Sequence, residues 1–160
     1  MRVVIVRHGK AKSDSESGRD IDRDLRGRGE RQAKFLGEQL ALCEPPVAAI
    51  VASRATRTRR TAEIIGAHLK VEVAFDDRLL MDEPVSPVLD LIGEHRGAGC
   101  AVLVGHNPQC EQLVAVLTGK PFSSNSHFRT GEAVILEIDP DEPLESGAEL
   151  DRMRLHEGTS

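Results

Sequence analysis

The chain has 160 residues, a formal net charge of −5 and four aromatic side chains, all phenylalanine. That length fits one domain spanning residues 1–160, with a core that Leu, Val, Ile and Ala must fill. The acidic balance argues against generic nucleic-acid binding, no apolar stretch approaches the ~20 residues of a membrane span, and no basic segment followed by a long apolar run marks secretion.

Val3–Val6 reads as a buried strand, and Arg7-His8-Gly9 follows it directly. Lys10 to Leu25 has no periodicity and reads as a loop over the end of that strand. Gly27 to Leu42 reads as a helix with an apolar stripe of Ala33, Leu36 and Leu40, stopped by Pro45-Pro46. Val47–Ala52 is a second buried strand. Ser53 suits the N-cap of the next helix, which carries Ala62, Ile65 and Leu69 on one side. Val71–Phe75 is expected at a sheet edge, Asp76 to Pro87 is irregular, and Val88–Glu94 is a short helix. Ala101–Val104 is a further apolar strand, followed by Gly105-His106-Asn107-Pro108. Asn107 suits the N-cap and Pro108 the first turn of a helix over Gln109–Leu117, with Gly119 as its stop. Ala133–Ile138 is a strand, Leu150–Leu155 a weak edge strand, and Glu157–Ser160 a frayed tail. Strands alternating with helices predict an α/β domain, three layers deep, around a mostly parallel sheet.

The three cysteines, Cys43, Cys100 and Cys110, form no CxxC pair, and an odd count fits free thiols in a reducing cytoplasm. No histidine pair has ligand spacing such as HxxxH, so a metal site is not expected. His68, His95 and His156 read as surface residues. His127 lies in a polar loop with Ser123, Ser124, Asn125 and Ser126; it reads as structural, with a place lining the groove as the alternative. Nothing signals oligomerisation, and a monomer is the default.

Three apolar strands end in polar signatures: Arg7-His8-Gly9, Ser53 with a following helix that bears Arg54, Arg57, Arg59 and Arg60, and Gly105-His106-Asn107-Pro108. If the strands are parallel neighbours, these ends share one crevice. Two histidines and at least two arginines would then converge on it, a set that suits a phosphoryl group. A neutral imidazole nitrogen is a nucleophile towards phosphorus. Surrounding cations would keep His8 unprotonated, and its other ring nitrogen needs an acceptor to fix the tautomer. Arg54, Arg59 and Arg60 fall on several helix faces and read as solvated.

With these residues in order, the chain resembles the histidine phosphatase superfamily, in particular its small SixA-type phosphohistidine phosphatase branch. The resemblance also runs through Arg23-Asp24-Leu25, Gly29-Glu30-Arg31-Gln32-Ala33, Thr61-Ala62-Glu63 and Thr130-Gly131. It implies a phosphoglycerate mutase-like fold without large cap insertions. His8 would be the transiently phosphorylated nucleophile, with Arg7, Arg57 and His106 as its catalytic partners. Gly9, Arg23 and Asn107 would border the substrate. It implies no metal or organic cofactor. Lys10 stands where many members have Glu, Arg54 where Pro is usual, and Asp24 where Pro is common.

The leaving group decides the substrate. An alkyl phosphomonoester expels a poor alkoxide and gains from a general acid, a role open to Asp82 or Glu83. Phosphohistidine expels an imidazole and needs little help. A short, uncapped chain suits a phosphohistidine displayed on a partner protein. A small-molecule phosphomonoesterase is the alternative, and a non-catalytic phosphate-binding module is a third reading.

Overall fold

A computed structural model describes residues 1–121, 127–139 and 141–157. The serine-rich loop at 123–126 and the last three residues of the tail lie outside them. Six strands form one sheet: β1 (Arg2–Arg7), β2 (Ala49–Ala52), β3 (Val73–Phe75), β4 (Cys100–Gly105), β5 (Ala133–Glu137) and β6 (Ala148–Met153). Their order is β3-β2-β4-β1-β5-β6. The pairs β3–β2, β2–β4 and β4–β1 are parallel, whereas β5 runs antiparallel to both β1 and β6. The expected mostly parallel sheet thus carries one reversed strand.

Burial on both faces explains the unbroken apolar runs of the central strands. Val3 and Ile5 of β1 face one core, together with α3 (Ser86–Glu94) and α4 (Gln109–Thr118). Val4 and Val6 face the other, together with α1 (Gly27–Leu40) and α2 (Thr56–Leu69). The result is the expected three-layer α/β/α arrangement, with α1 and α2 over one face of the sheet and α3 and α4 over the other.

Register fixes the functional edge. Arg7 lies opposite Gly105, and Ala52 opposite Val104. The ladder runs one step further, because the His8 amide donates to the Gly105 carbonyl and the Ser53 amide to that of Val104. The ends of β1, β2 and β4 are therefore level, as a crevice at the carboxyl edge requires. The first turn of α1 supports the loop after β1 at very close range. A Cβ placed on Gly9 would come within 2.6 Å of the Gly29 carbonyl oxygen, so backbone meets backbone there and only glycine fits.

Two expected caps are not caps. Ala55 holds the N-cap position of α2, and no side chain caps it. Pro108 stands at the N-cap of α4. Ser53 and Asn107 lie earlier, in the turns between strand and helix, and both point their polar atoms into long-range partners described next.

Candidate active site

His8 is 7% exposed at the end of β1. Its Nδ1 lies 2.8 Å from the carbonyl oxygen of Gly9. A carbonyl only accepts, so Nδ1 carries the proton and Nε2 keeps its lone pair. Burial above all lowers its pKa to about 4; the Gly9 hydrogen bond opposes this, and Arg57, Arg7 and Arg23 add to it. The sequence argument named cations as the cause, but desolvation is the larger one. Either way the ring is neutral at ordinary pH, the form a nucleophile needs. The Gly9 amide donates to Thr61 Oγ1 at 3.0 Å, tying the loop after β1 to α2.

Three further side chains close on the same point. Arg57 emerges from the first turn of α2 and is 1% exposed. Its two terminal nitrogens donate to Asp20, one to the carbonyl oxygen at 2.9 Å and one to the carboxylate at 3.0 Å. Arg7 donates from Nη1 to the Phe128 carbonyl at 2.9 Å. His106 is 1% exposed, its ring centroid lies 5.3 Å from that of His8, and its Nε2 is 2.8 Å from Ser53 Oγ. Burial chiefly lowers the His106 pKa to about 3; His8, Arg57 and Arg7 add to this and Asp20 opposes it.

Arg7 Nε, Arg57 Nε and His106 Nδ1 are buried polar atoms with no hydrogen-bond partner in the protein. Buried polar groups are seldom left so. Two guanidiniums and an imidazole near His8 thus each keep an uncommitted nitrogen, a set of groups whose chemistry suits an oxyanion.

Arg23 donates from Nε to Asp20 at 2.9 Å and from Nη1 to the Lys12 carbonyl at 2.7 Å. Asp20 links Arg23 and Arg57 and was not picked out in the sequence. Its only local signal is its place three residues before Arg23, on a loop without periodicity. Burial works to raise the Asp20 carboxyl. The hydrogen bonds and charges of Arg23 and Arg57 outweigh it and leave the pKa below the usual range.

Asn107 does not meet the expectation of a free substrate contact on its amide side. Its Nδ2 donates to Glu111 Oε1 at 3.0 Å and to the Phe128 carbonyl at 2.9 Å. Glu111 also accepts from the Phe128 amide at 2.9 Å. This buried carboxylate therefore holds the segment whose carbonyl holds Arg7, a second residue that local sequence did not reveal. Exposed His127 adds its Nδ1 at 3.3 Å from Glu111 Oε1.

Asp82 and Glu83 are exposed, on the turn that follows Leu79. Gln109 of α4 donates to the carbonyls of Arg78 and Glu83, so that turn is fastened at the same sheet edge. Arg54, Arg59 and Arg60 form surface ion pairs with Asp77, Glu63, and Asp24 and Glu30, in accord with a solvated role. Among the described residues no cluster of three or more His, Cys, Asp or Glu could hold a metal ion. No described helix is long and apolar enough to cross a membrane.

The histidine phosphatase superfamily (branch 1) matches residues 3–80, from β1 through the Arg57 helix. Two proteins named as phosphoglycerate mutase GpmB, from Citrobacter koseri and Salmonella choleraesuis, are 38% and 35% identical to the chain over 82 residues. That stretch is 49% of this chain and 37% of each GpmB protein, so the curated relatives are much longer than the part they share. The solved structure of the protein histidine phosphatase SixA with tungstate superposes with a TM-score of 0.84 at 22% identity, covering 96% of this chain and 97% of that one. A SixA-named protein from Agrobacterium tumefaciens gives 0.81 at 24% identity over 95% and 96% of the two chains. Another from Nakamurella gives 0.75 at 26% identity over 97% and 95%. Residues 3–80 thus carry the pattern of the histidine phosphatase superfamily. The fold is the histidine phosphatase fold, and the SixA structures match it nearly end to end.

Proposed function

We propose that the chain hydrolyses phosphohistidine on a partner protein through a covalent phospho-His8 intermediate. His8 Nε2 attacks phosphorus in line, and the bond to the substrate imidazole breaks. Arg7, Arg57 and His106 stabilise the charge on the equatorial oxygens, and Arg23 guides the phosphoryl group in at the mouth. Water then attacks phospho-His8 and returns the free imidazole and inorganic phosphate. None of these steps calls on a metal ion or an organic cofactor, so turnover should survive EDTA.

The observation that carries the substrate class is the state of Asp20. The carboxylate bonded into the pocket is held ionised by two arginines and has no proton to give. An alkoxide leaving group wants such a proton, whereas an imidazole does not. The SixA-type fold, uncapped over the pocket, supports a substrate presented on a protein surface, and the tungstate-bound SixA structure supports an oxyanion site.

The test is a side-by-side rate comparison on a phosphohistidine protein and a panel of phosphomonoesters, with acid-quench trapping of the phosphoenzyme. Preference for phosphohistidine, and loss of both turnover and trapping in His8→Ala, is the expected result. Normal turnover in His8→Ala overturns the reading. The GpmB relatives favour a second reading, a small-molecule phosphomonoesterase with Asp82 or Glu83 as acid. It predicts faster phosphomonoester turnover and a large loss in Asp82→Asn or Glu83→Gln. Oxyanion binding without turnover on either substrate class would leave the phosphate-binding module.

A further inference from the structure

Ser53, Thr58 and His106 form a buried polar chain at the back of the pocket. Ser53 Oγ lies 2.8 Å from His106 Nε2 and 2.5 Å from Thr58 Oγ1. Thr58 Oγ1 lies 2.9 Å from the carbonyl oxygens of both Ser53 and Ala55. Each hydroxyl has one proton, and a carbonyl has none. Thr58 therefore gives its proton to a carbonyl. Ser53 must then give its own to Thr58, or two lone pairs would face each other at their short separation. Ser53 Oγ is left as an acceptor, and the group it accepts from is His106 Nε2–H. The reverse chain, Thr58 to Ser53 to Nε2, leaves both carbonyl contacts without a proton.

Resting on the oxyanion pocket read above, we infer that Ser53 is a positioning residue: through Thr58 it holds the resting proton of His106 on Nε2, so that Nδ1 faces the pocket as a bare acceptor and an oxyanion binds together with a proton. His106 Nδ1 is buried without a partner, in keeping with that lone pair. The titratable and charged groups around it are His8 and Arg7 from the end of β1, Arg57 from α2 and Asp20 from the loop. In their company the empty pocket keeps the ring neutral. A dianion between the two histidines reverses the balance. A solvent proton joins Nδ1, no other bond breaks, and the new N–H donates to an oxyanion oxygen while Nε2–H stays on Ser53.

The test uses ¹⁵N NMR of the imidazole rings and titration calorimetry with tungstate at about pH 7.5, where this probe is a dianion and any proton must come to the protein. The free chain should show His106 as the Nε2–H tautomer. At saturation both nitrogens of His106 should be protonated, and calorimetry in two buffers of different ionisation enthalpy should show about one proton taken up per tungstate. Ser53→Ala should scramble the tautomer and weaken tungstate binding roughly 10- to 100-fold, the scale of one hydrogen bond to a charged group, while Ser53→Thr restores both. Thr58→Val, which cuts the chain one link back, should scramble the tautomer as well. An Nδ1–H tautomer in the free chain, a neutral His106 in the complex, or a Ser53→Ala chain indistinguishable from the parent overturns the inference. If Ser53→Ala does not fold, the spectra of the parent chain decide alone. Failure to turn over phosphohistidine, with tautomer and proton uptake intact, would sink the proposed substrate and leave the role of Ser53 standing.

Discussion

Lowering the pH from about 7.5 to about 5 should destabilise the folded chain by about 4 kcal/mol, carried mainly by two histidines. Both start from an ordinary value of 6.5, and in the fold His8 drops to about 4 and His106 to about 3. In the folded state both rings stay neutral at pH 5, but in the unfolded chain both take up a proton below 6.5. The unfolded state then binds more protons, so stability falls as the pH falls through 6.5. The loss continues until the folded rings titrate in turn, near pH 4 for His8 and pH 3 for His106. At pH 5 an unfolded histidine sits about 1.5 units below its pKa, which is worth about 2 kcal/mol per ring. Asp76, held low by the hydrogen bond from Arg78, acts only at more acid pH and leaves this window clear. Urea unfolding of the parent chain, His8→Asn and His106→Asn at the two pH values measures the effect, in buffer free of phosphate because a bound anion would add stability of its own. Each variant should lose about 2 kcal/mol less than the parent over the interval. Equal losses in all three chains would refute the claim that these rings are buried neutral.

Arg57→Ala removes a buried guanidinium and should weaken tungstate binding by about 100-fold in calorimetry; a loss under about threefold would place the oxyanion elsewhere. Glu111→Ala strips the acceptor from the Phe128 amide and from Asn107 Nδ2, and should cost about 2 kcal/mol in urea unfolding. Glu111→Gln keeps an acceptor oxygen and should lose less. Gly29→Ala drives a Cβ into the Lys10 carbonyl, which already accepts from the Arg26 amide, and should cost about 1–3 kcal/mol. An unchanged melting temperature in Gly29→Ala would show that the two backbones do not meet as described.

The residues that announced themselves in the sequence are those whose signal is local. Arg7 and His8 follow an apolar strand, and Gly105-His106 follows another, because a strand buried on both faces must end where polar groups begin. Arg57 stood out less, as one of several arginines on a helix, yet it alone of that group is buried. Ser53 was misread because a serine between strand and helix is the ordinary N-cap pattern. Its actual partner, His106, is 53 residues away in sequence. Asp20 and Glu111 act through the same kind of distant contact, Asp20 reaching Arg57 across 37 residues and Glu111 reaching the Phe128 amide across 17. The reversal of β5 was hidden for a related reason: an apolar run fixes burial, but direction depends on the length and path of the connection before it.

The strand order has a consequence for when this pocket can exist. His8 rides on β1 and Arg57 follows β2, yet these two strands are not neighbours, because β4 lies between them and pairs with both. A ribosome that has delivered His8 and the first arginines has therefore made two parts with no strand pairing between them, joined only through loop and helix contacts such as Gly9 to Thr61. The strand that joins them brings His106 at its own end, so the last pocket histidine and the means of assembly arrive in one piece. An emerging chain carries His8 for about a hundred residues of synthesis without a pocket around it, and the pocket forms only when that late strand slides into the middle of the sheet.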